Sequence, residues 1–217
     1  MKKEDILRQL RDSGVIAVIR TNSPKQLTNV VASLAEGGIR FIEITMTIPK
    51  ALELVQKCRE AFEDQIQIGA GTVLDSETAQ AVISAGASFV VSPVFNPDMV
   101  RYCNRYAIPV MPGALTPTEV LTAWMGGADV VKVFPARIGG PKYFKDLKGP
   151  LPQVELLPTG GVNMQTAPEF ITAGACAVGI GAALVDPAAV EAGEYDVILK
   201  NAVNLIQAIR GARGDRE

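Results

Sequence analysis

Short apolar runs rich in β-branched residues alternate along this chain with longer segments of helical periodicity. The runs fall at 15–20, 41–46, 67–73, 89–94, 108–113, 130–136, 154–161 and 177–184. Eight strand-like runs, each followed by a helix-like segment, predict an α/β protein, a (β/α)8 TIM barrel spanning 1–217 as a single domain. A short amphipathic helix is expected over 1–14, and 210–217 reads as a charged, frayed terminus. The helix starts agree: Ser23-Pro24-Lys25-Gln26 and Thr116-Pro117-Thr118-Glu119 have the form of capping boxes with proline at the first helical position, and Asn96 before Pro97 is a plainer N-cap. Glycines 37, 38, 86, 126, 127 and 174 stand where helices would stop.

A weak internal repeat sharpens the pattern. Gly38, Gly86, Gly127 and Gly174 each precede a two-residue loop and then a strand, about every second βα unit, which makes these strands 2, 4, 6 and 8. Alternate strands of such a barrel contribute the four side chains of one interior layer. The fifth residue after each glycine is Glu43, Val91, Lys132 and Gly179, so a carboxylate and an amine are expected to face each other with small or apolar partners between them.

Lys132 stands in V-V-K-V-F-P-A, which otherwise reads as a buried parallel strand. Burial disfavours the ammonium form and turns an inert cation into an amine able to attack a carbonyl. A strand lysine can also point outward or snorkel to water, and Glu43 with Lys132 can be a structural ion pair. Because buried pairs contribute little to stability, general acid/base and nucleophile is the reading preferred here.

Composition narrows the chemistry. The 217 residues carry a net charge of −2, with no basic run suited to nucleic acid. The N-terminal stretch is charged throughout, unlike a signal peptide, and no apolar run approaches a membrane span. Three cysteines without C-x-x-C spacing suggest free thiols in a reducing cytoplasm. The chain has no histidine, which disfavours a zinc site or a histidine triad; no metal and no cofactor are expected.

The C-terminal strand ends carry the remaining signal. Strand 1 ends in Arg20, strand 2 in Thr45 and Thr47, strand 3 in Thr72 and strand 4 in Pro93. Arg20 is either a clamp for an anionic group or a solvated loop charge. Phe134 shares the side of Lys132 and either covers the reacting centre or only packs. Gly160 and Gly161 on strand 7, with Gly179 and Gly181 on strand 8, fit a backbone phosphate site; an ordinary tight turn is the alternative for the first pair.

The segments Gly38-Ile39-Arg40-Phe41-Ile42-Glu43-Ile44-Thr45, Gly69-Ala70-Gly71-Thr72-Val73, Lys132-Val133-Phe134-Pro135-Ala136 and Pro158-Thr159-Gly160-Gly161-Val162 resemble the motifs of the 2-dehydro-3-deoxy-phosphogluconate (KDPG) / 4-hydroxy-2-oxoglutarate (KHG) aldolases. The resemblance covers almost the whole chain. It implies a metal-free class I aldolase, usually a homotrimer, with Lys132 as Schiff-base lysine and Glu43 as general acid/base. It further implies that Thr72, Pro93, Phe134 and Thr159 line the pyruvate region and that Gly160, Gly161 and Gly181 hold phosphate. Two positions depart from the family pattern: Thr47 stands where an arginine often grips the substrate carboxylate, and Ala182 where a serine often follows the second strand 8 glycine.

The expected reaction is reversible cleavage of 2-dehydro-3-deoxy-6-phosphogluconate to pyruvate and glyceraldehyde 3-phosphate. Alternatives are 4-hydroxy-2-oxoglutarate or the galactonate epimer as substrate, or, in a different class, a catalytically silent phosphosugar-binding or assembly protein. No nucleic acid or membrane partner is expected.

Overall fold

The computed structural model describes residues 1–20, 24–63 and 65–214. Nine strand segments lie among them: β1 (Val15–Ile19), β2 (Phe41–Thr45), β3 (Gln67–Gly71), β4 (Val90–Val91), β5 (Val110–Met111), β6 (Gly113–Ala114), β7 (Val131–Val133), β8 (Leu156–Pro158) and β9 (Val178–Ile180). Between and around them run α1 (Lys3–Ser13), α2 (Pro24–Glu36), α3 (Ala51–Phe62), α4 (Ser76–Ser84), α5 (Pro97–Arg105), α6 (Pro117–Met125), α7 (Gly140–Lys148), α8 (Thr166–Thr172), α9 (Pro187–Ala192) and α10 (Tyr195–Arg213).

Every ladder is parallel, and the strands fall into two sheets, β5-β4-β3-β2-β1-β9 and β6-β7-β8. This differs from the single eight-stranded barrel sheet expected from the pattern. The reason lies at Pro112, which has no N–H to give to a ladder and divides the fifth run. On one side of it β5 pairs with β4; on the other β6 pairs with β7. A lone parallel bridge joins Thr159, just past β8, to Gly179 in β9.

Strand periodicity sorts the core into two layers. Ile16, Phe41, Phe89, Val91, Met111, Val130, Leu157 and Ala177 form an inner cluster. The alternate residues Val15, Ala17, Ile19, Ile42 and Ile44 face outward onto helical side chains such as Leu27, Val30, Val31 and Leu34 of α2. Helices therefore cover the outer face, and both faces of the strands are buried, as a parallel sheet requires.

The helix α1 closes one end of the inner cluster. Its Ile6, Leu7 and Leu10 pack into that cluster, each worth roughly 1.5–3 kcal/mol when fully buried. Gly14 ends it in the left-handed conformation and donates to Leu10 O at 2.8 Å. Ion pairs fasten it to the strand edges, Lys3 to Asp129 at 2.9 Å and Arg11 to Glu155 at 2.7 Å.

The expected punctuation recurs at several points. The Thr116/Glu119 capping box is formed, and Asn96 Oδ1 accepts from the amides of Asp98 and Met99. Gly38, Gly86, Gly127 and Gly174, the glycines of the repeat, share nearly one backbone angle, with φ of 93°, 94°, 96° and 98°. The box proposed at Ser23 lies outside the described residues. The expectation of a frayed terminus from residue 210 is corrected in part: α10 continues to Arg213, whose guanidinium donates to Asp12 O at 2.7 Å and Cys176 O at 3.0 Å. No helix among the described residues is long and apolar enough to cross a membrane.

Candidate active site

Glu43 and Lys132 are both inner-face residues, one step along their strands from members of the inner cluster. Phe41 and Val130 hold the layer beneath them, and Phe41 packs on Phe89 with ring centres 5.7 Å apart. Exposure is 1% for Glu43 and 2% for Lys132. Val91 is in the inner cluster, and a Cβ built on Gly179 would point at Thr159 Oγ1. All four members of the expected layer thus face the same interior.

The electrostatics suit an uncharged amine. Burial holds the Lys132 ammonium below its ordinary value of 10.5, the nearby Arg20 guanidinium lowers it further, and Glu43 pulls in the opposite direction. Lys132 Nζ lies 5.3 Å from the centre of the Phe134 ring. Glu43 Oε1 is buried and makes no hydrogen bond to a described residue, so its lone pairs are available for proton exchange.

Most of the other anticipated side chains stand at or just past the strand ends. Thr45 is fully buried; its hydroxyl donates to Ile19 O at 3.4 Å and lies 2.8 Å from the hydroxyl of the exposed Thr47. Thr72 follows β3 with φ of 59°, a left-handed conformation that bends the chain away from the sheet. Pro93 and Phe134 share the lining of one cavity of about 380 Å³. Thr159 is 4% exposed, and its Oγ1, like Glu43 Oε1, has no hydrogen bond to a described residue. Arg20 follows β1, exposed to solvent, close enough to Lys132 to act on its charge.

The glycines divide into two kinds. Gly160 and Gly161 form a turn after β8 with φ of 87° and 88°, and Gly181 follows β9. Gly179, in contrast, is buried inside β9 and paired with Ile16 of β1, one step below the strand ends. Its missing side chain makes room for Thr159.

Two neighbours were not singled out from the sequence. The Glu43 carboxylate fills the space a Cβ on Gly71 would need, and Arg137 lies against Gly161, with its amide donating to Gly160 O at 3.0 Å. Glycines at two successive inner positions of the third strand, 69 and 71, are the signal that could have found the first. For Arg137, a cation just past the lysine strand is only a faint one.

Other nucleophiles are poorly placed. Burial pushes the Cys58 thiol up to about 11 and those of Cys103 and Cys176 to about 12, so they stay protonated. Among the described residues no three His, Cys, Asp or Glu side chains cluster as a metal site. A buried neutral amine beside a carboxylate can add to a ketone and move protons at the adjacent carbon.

Known proteins similar to this chain in fold are numerous. The KDPG and KHG aldolase model matches residues 6–201. The chain is 32% identical over 205 residues to 2-dehydro-3-deoxy-phosphogluconate aldolase of Treponema pallidum, covering 94% of this chain and 97% of that one. It is 30% identical to KHG/KDPG aldolase of Escherichia coli K12, covering 94% of each. A structure of the KDPG aldolase of Legionella pneumophila, with pyruvate captured as a covalent carbinolamine intermediate, superposes with a TM-score of 0.86 at 28% identity, covering 94% of this chain and 98% of that one. The match over nearly the full length, on a fold that brings lysine and glutamate together inside parallel strands, shows that this chain belongs to the KDPG and KHG aldolase family.

Proposed function

We propose that this protein cleaves 2-dehydro-3-deoxy-6-phosphogluconate to pyruvate and glyceraldehyde 3-phosphate through an imine on Lys132. The observation that carries the reading is the Lys132 amine, 2% exposed and kept toward its neutral form by burial, beside Glu43. Neutral Lys132 attacks the C2 ketone. Uptake of a proton from solvent and loss of water leave a protonated imine, which accepts the electron pair of the C3–C4 bond as that bond breaks, while Glu43 takes the proton of the C4 hydroxyl directly or through a water. Glu43 returns that proton to C3 of the resulting enamine, and hydrolysis of the imine, with release of the proton taken from solvent, frees pyruvate and restores the amine.

Thr72, Pro93, Phe134 and Thr159 would line the pyruvate end, with Arg20, Thr45 and Thr47 toward the carboxylate. Gly160, Gly161 and Gly181 would receive the phosphate through backbone amides, with Gly179 beneath them and the Arg137 cation alongside. The scaffold proposed for this site is a closed (β/α)8 barrel forming a single domain. Two features support closure: β5 and β6 are parts of one run interrupted only at Pro112, and Thr159 bridges to Gly179 between the sheets. A homotrimer in the cytoplasm completes the reading. The family resemblance supports the first, and the free thiols of Cys58, Cys103 and Cys176 support the second.

The test is borohydride reduction in the presence of pyruvate, followed by peptide mass mapping. One reduced pyruvate adduct on Lys132 is the expected result; no adduct on any lysine would overturn the mechanism. Specificity constants measured side by side on the phosphogluconate, phosphogalactonate and 4-hydroxy-2-oxoglutarate substrates decide among the family's activities.

A further inference from the structure

We infer that Gly71 is a positioning residue for the Glu43 carboxylate, an inference that rests on the aldolase reading above. The two belong to neighbouring parallel strands, with Glu43 registered against Gly69 and Thr45 against Gly71. Strand side chains lean along the strand direction, so Glu43 passes over its own partner and reaches the next inner position. A Cβ built on Gly71 would lie 1.8 Å from Glu43 Oε1, 2.4 Å from Cδ and 2.6 Å from Cγ. Real Cβ atoms never approach other atoms so closely. The carboxylate therefore occupies the space that any other residue at 71 would fill.

Backbone conformation is not the reason for this glycine, because Gly71 has no left-handed φ, unlike Gly160 and Gly161. Nor does packing among apolar groups explain it, as it does for Gly69, whose added Cβ would strike the ring of Phe89. What Gly71 excludes is specific to Glu43: Oε1 lodges against the bare backbone of β3 without a hydrogen bond to a described residue. The missing methyl sets which way the proton-transferring oxygen points, and a carboxylate displaced by about 1 Å can cost about a hundredfold in rate.

Deuterium exchange at the methyl group of pyruvate, followed by proton NMR, reads the proton transfer, and borohydride trapping on Lys132 reads imine formation. For Gly71→Ala, adduct formation is expected to stay within a fewfold of wild type while exchange falls at least tenfold. Glu43→Gln is expected to give the same pattern, with the double variant no slower than Glu43→Gln alone. Exchange by Gly71→Ala at the wild-type rate, or multiplied losses in the double variant, would overturn the role. A wild-type protein that forms no adduct overturns the aldolase reading, and this role with it.

Thermal melts supply an arm independent of turnover. Gly71→Ala should lower the melting temperature when Glu43 is present and leave it unchanged in a Glu43→Ala background. If Gly71→Ala does not fold, recovery of the fold in Gly71→Ala/Glu43→Ala supports the inference. Failure of that double variant to fold as Glu43→Ala does overturns it.

Discussion

Phe134 presents its ring 5.3 Å from Lys132 Nζ, two residues along the same run of chain. A ring at this distance favours a cation over a neutral amine, and the protonated imine is such a cation. In Phe134→Leu the volume is largely kept and the ring's electrons are lost. At about 0.5–2 kcal/mol for the contact, kcat/KM should fall about 2- to 30-fold. Steady-state kinetics in which Phe134→Leu equals wild type would reduce the ring to packing.

Lys132 fixes the pH dependence. Its pKa is lowered, first by burial and then by Arg20, so the neutral amine becomes available below the ordinary value of 10.5. The rate of pyruvate adduct formation should rise with pH and level off before 10.5. In the unfolded chain the same lysine keeps its proton up to about 10.5. Between the folded value and 10.5, unfolding takes up a proton, so this group's contribution to stability improves as pH rises through that window. Lys132→Ala should abolish cleavage and the rate inflection together; residual turnover in that variant would locate the nucleophile elsewhere.

Glu43→Gln keeps the shape of the side chain and removes its basicity. General acid/base catalysis contributes about 10²–10⁴-fold, so turnover should drop by that order while pyruvate binding weakens far less. An unchanged kcat would dismiss the glutamate from proton transfer.

Asp129 joins two functions at the closed end of the strands. Its Oδ2 accepts from the buried Val110 amide at 2.8 Å, and its Oδ1 pairs with Lys3 of α1. Asp129→Ala strands that amide and should cost about 1–3 kcal/mol. Asp129→Asn retains an acceptor and should cost less. Urea midpoints with an unchanged slope are the check, and equal loss in the two variants would refute the assignment.

Ala182 stands exposed just past Gly181. If Gly181 receives phosphate, Ala182→Ser adds one hydrogen bond to a charged group, worth about 1.5–3 kcal/mol. KM for the phosphorylated substrate should drop roughly tenfold or more, with KM for 4-hydroxy-2-oxoglutarate unchanged. Equal effects on both substrates would move the phosphate elsewhere.

The parts of this site that follow a period were legible from residue order alone. Glu43 and Lys132 were placed on one interior face by counting from Gly38 and Gly127, because strand alternation and the repeat leave one register that buries the apolar neighbours. What depends on a meeting of distant atoms was not. The glycines at 69 and 71 mark the third strand as special, but not which neighbour each makes room for, since a strand glycine looks alike whether it yields to a carboxylate or to a ring. The division of the fifth run at Pro112 has a local cause, but its consequence, a change of pairing partner, depends on strands β4 and β7. Charge misled at the far terminus: the last turns of α10 look solvated in sequence, yet Arg213 is held by two carbonyls.

In the closed barrel proposed above, the plug formed by Ile6, Leu7 and Leu10 makes the reaction chamber a cul-de-sac. Substrate and both products would then share one doorway, past the threonines and glycines at the strand ends. The fragment tethered to Lys132 sits deeper than the aldehyde, so the aldehyde must clear the passage before pyruvate can follow. Order of release is then a matter of queueing, imposed by a helix that touches neither product.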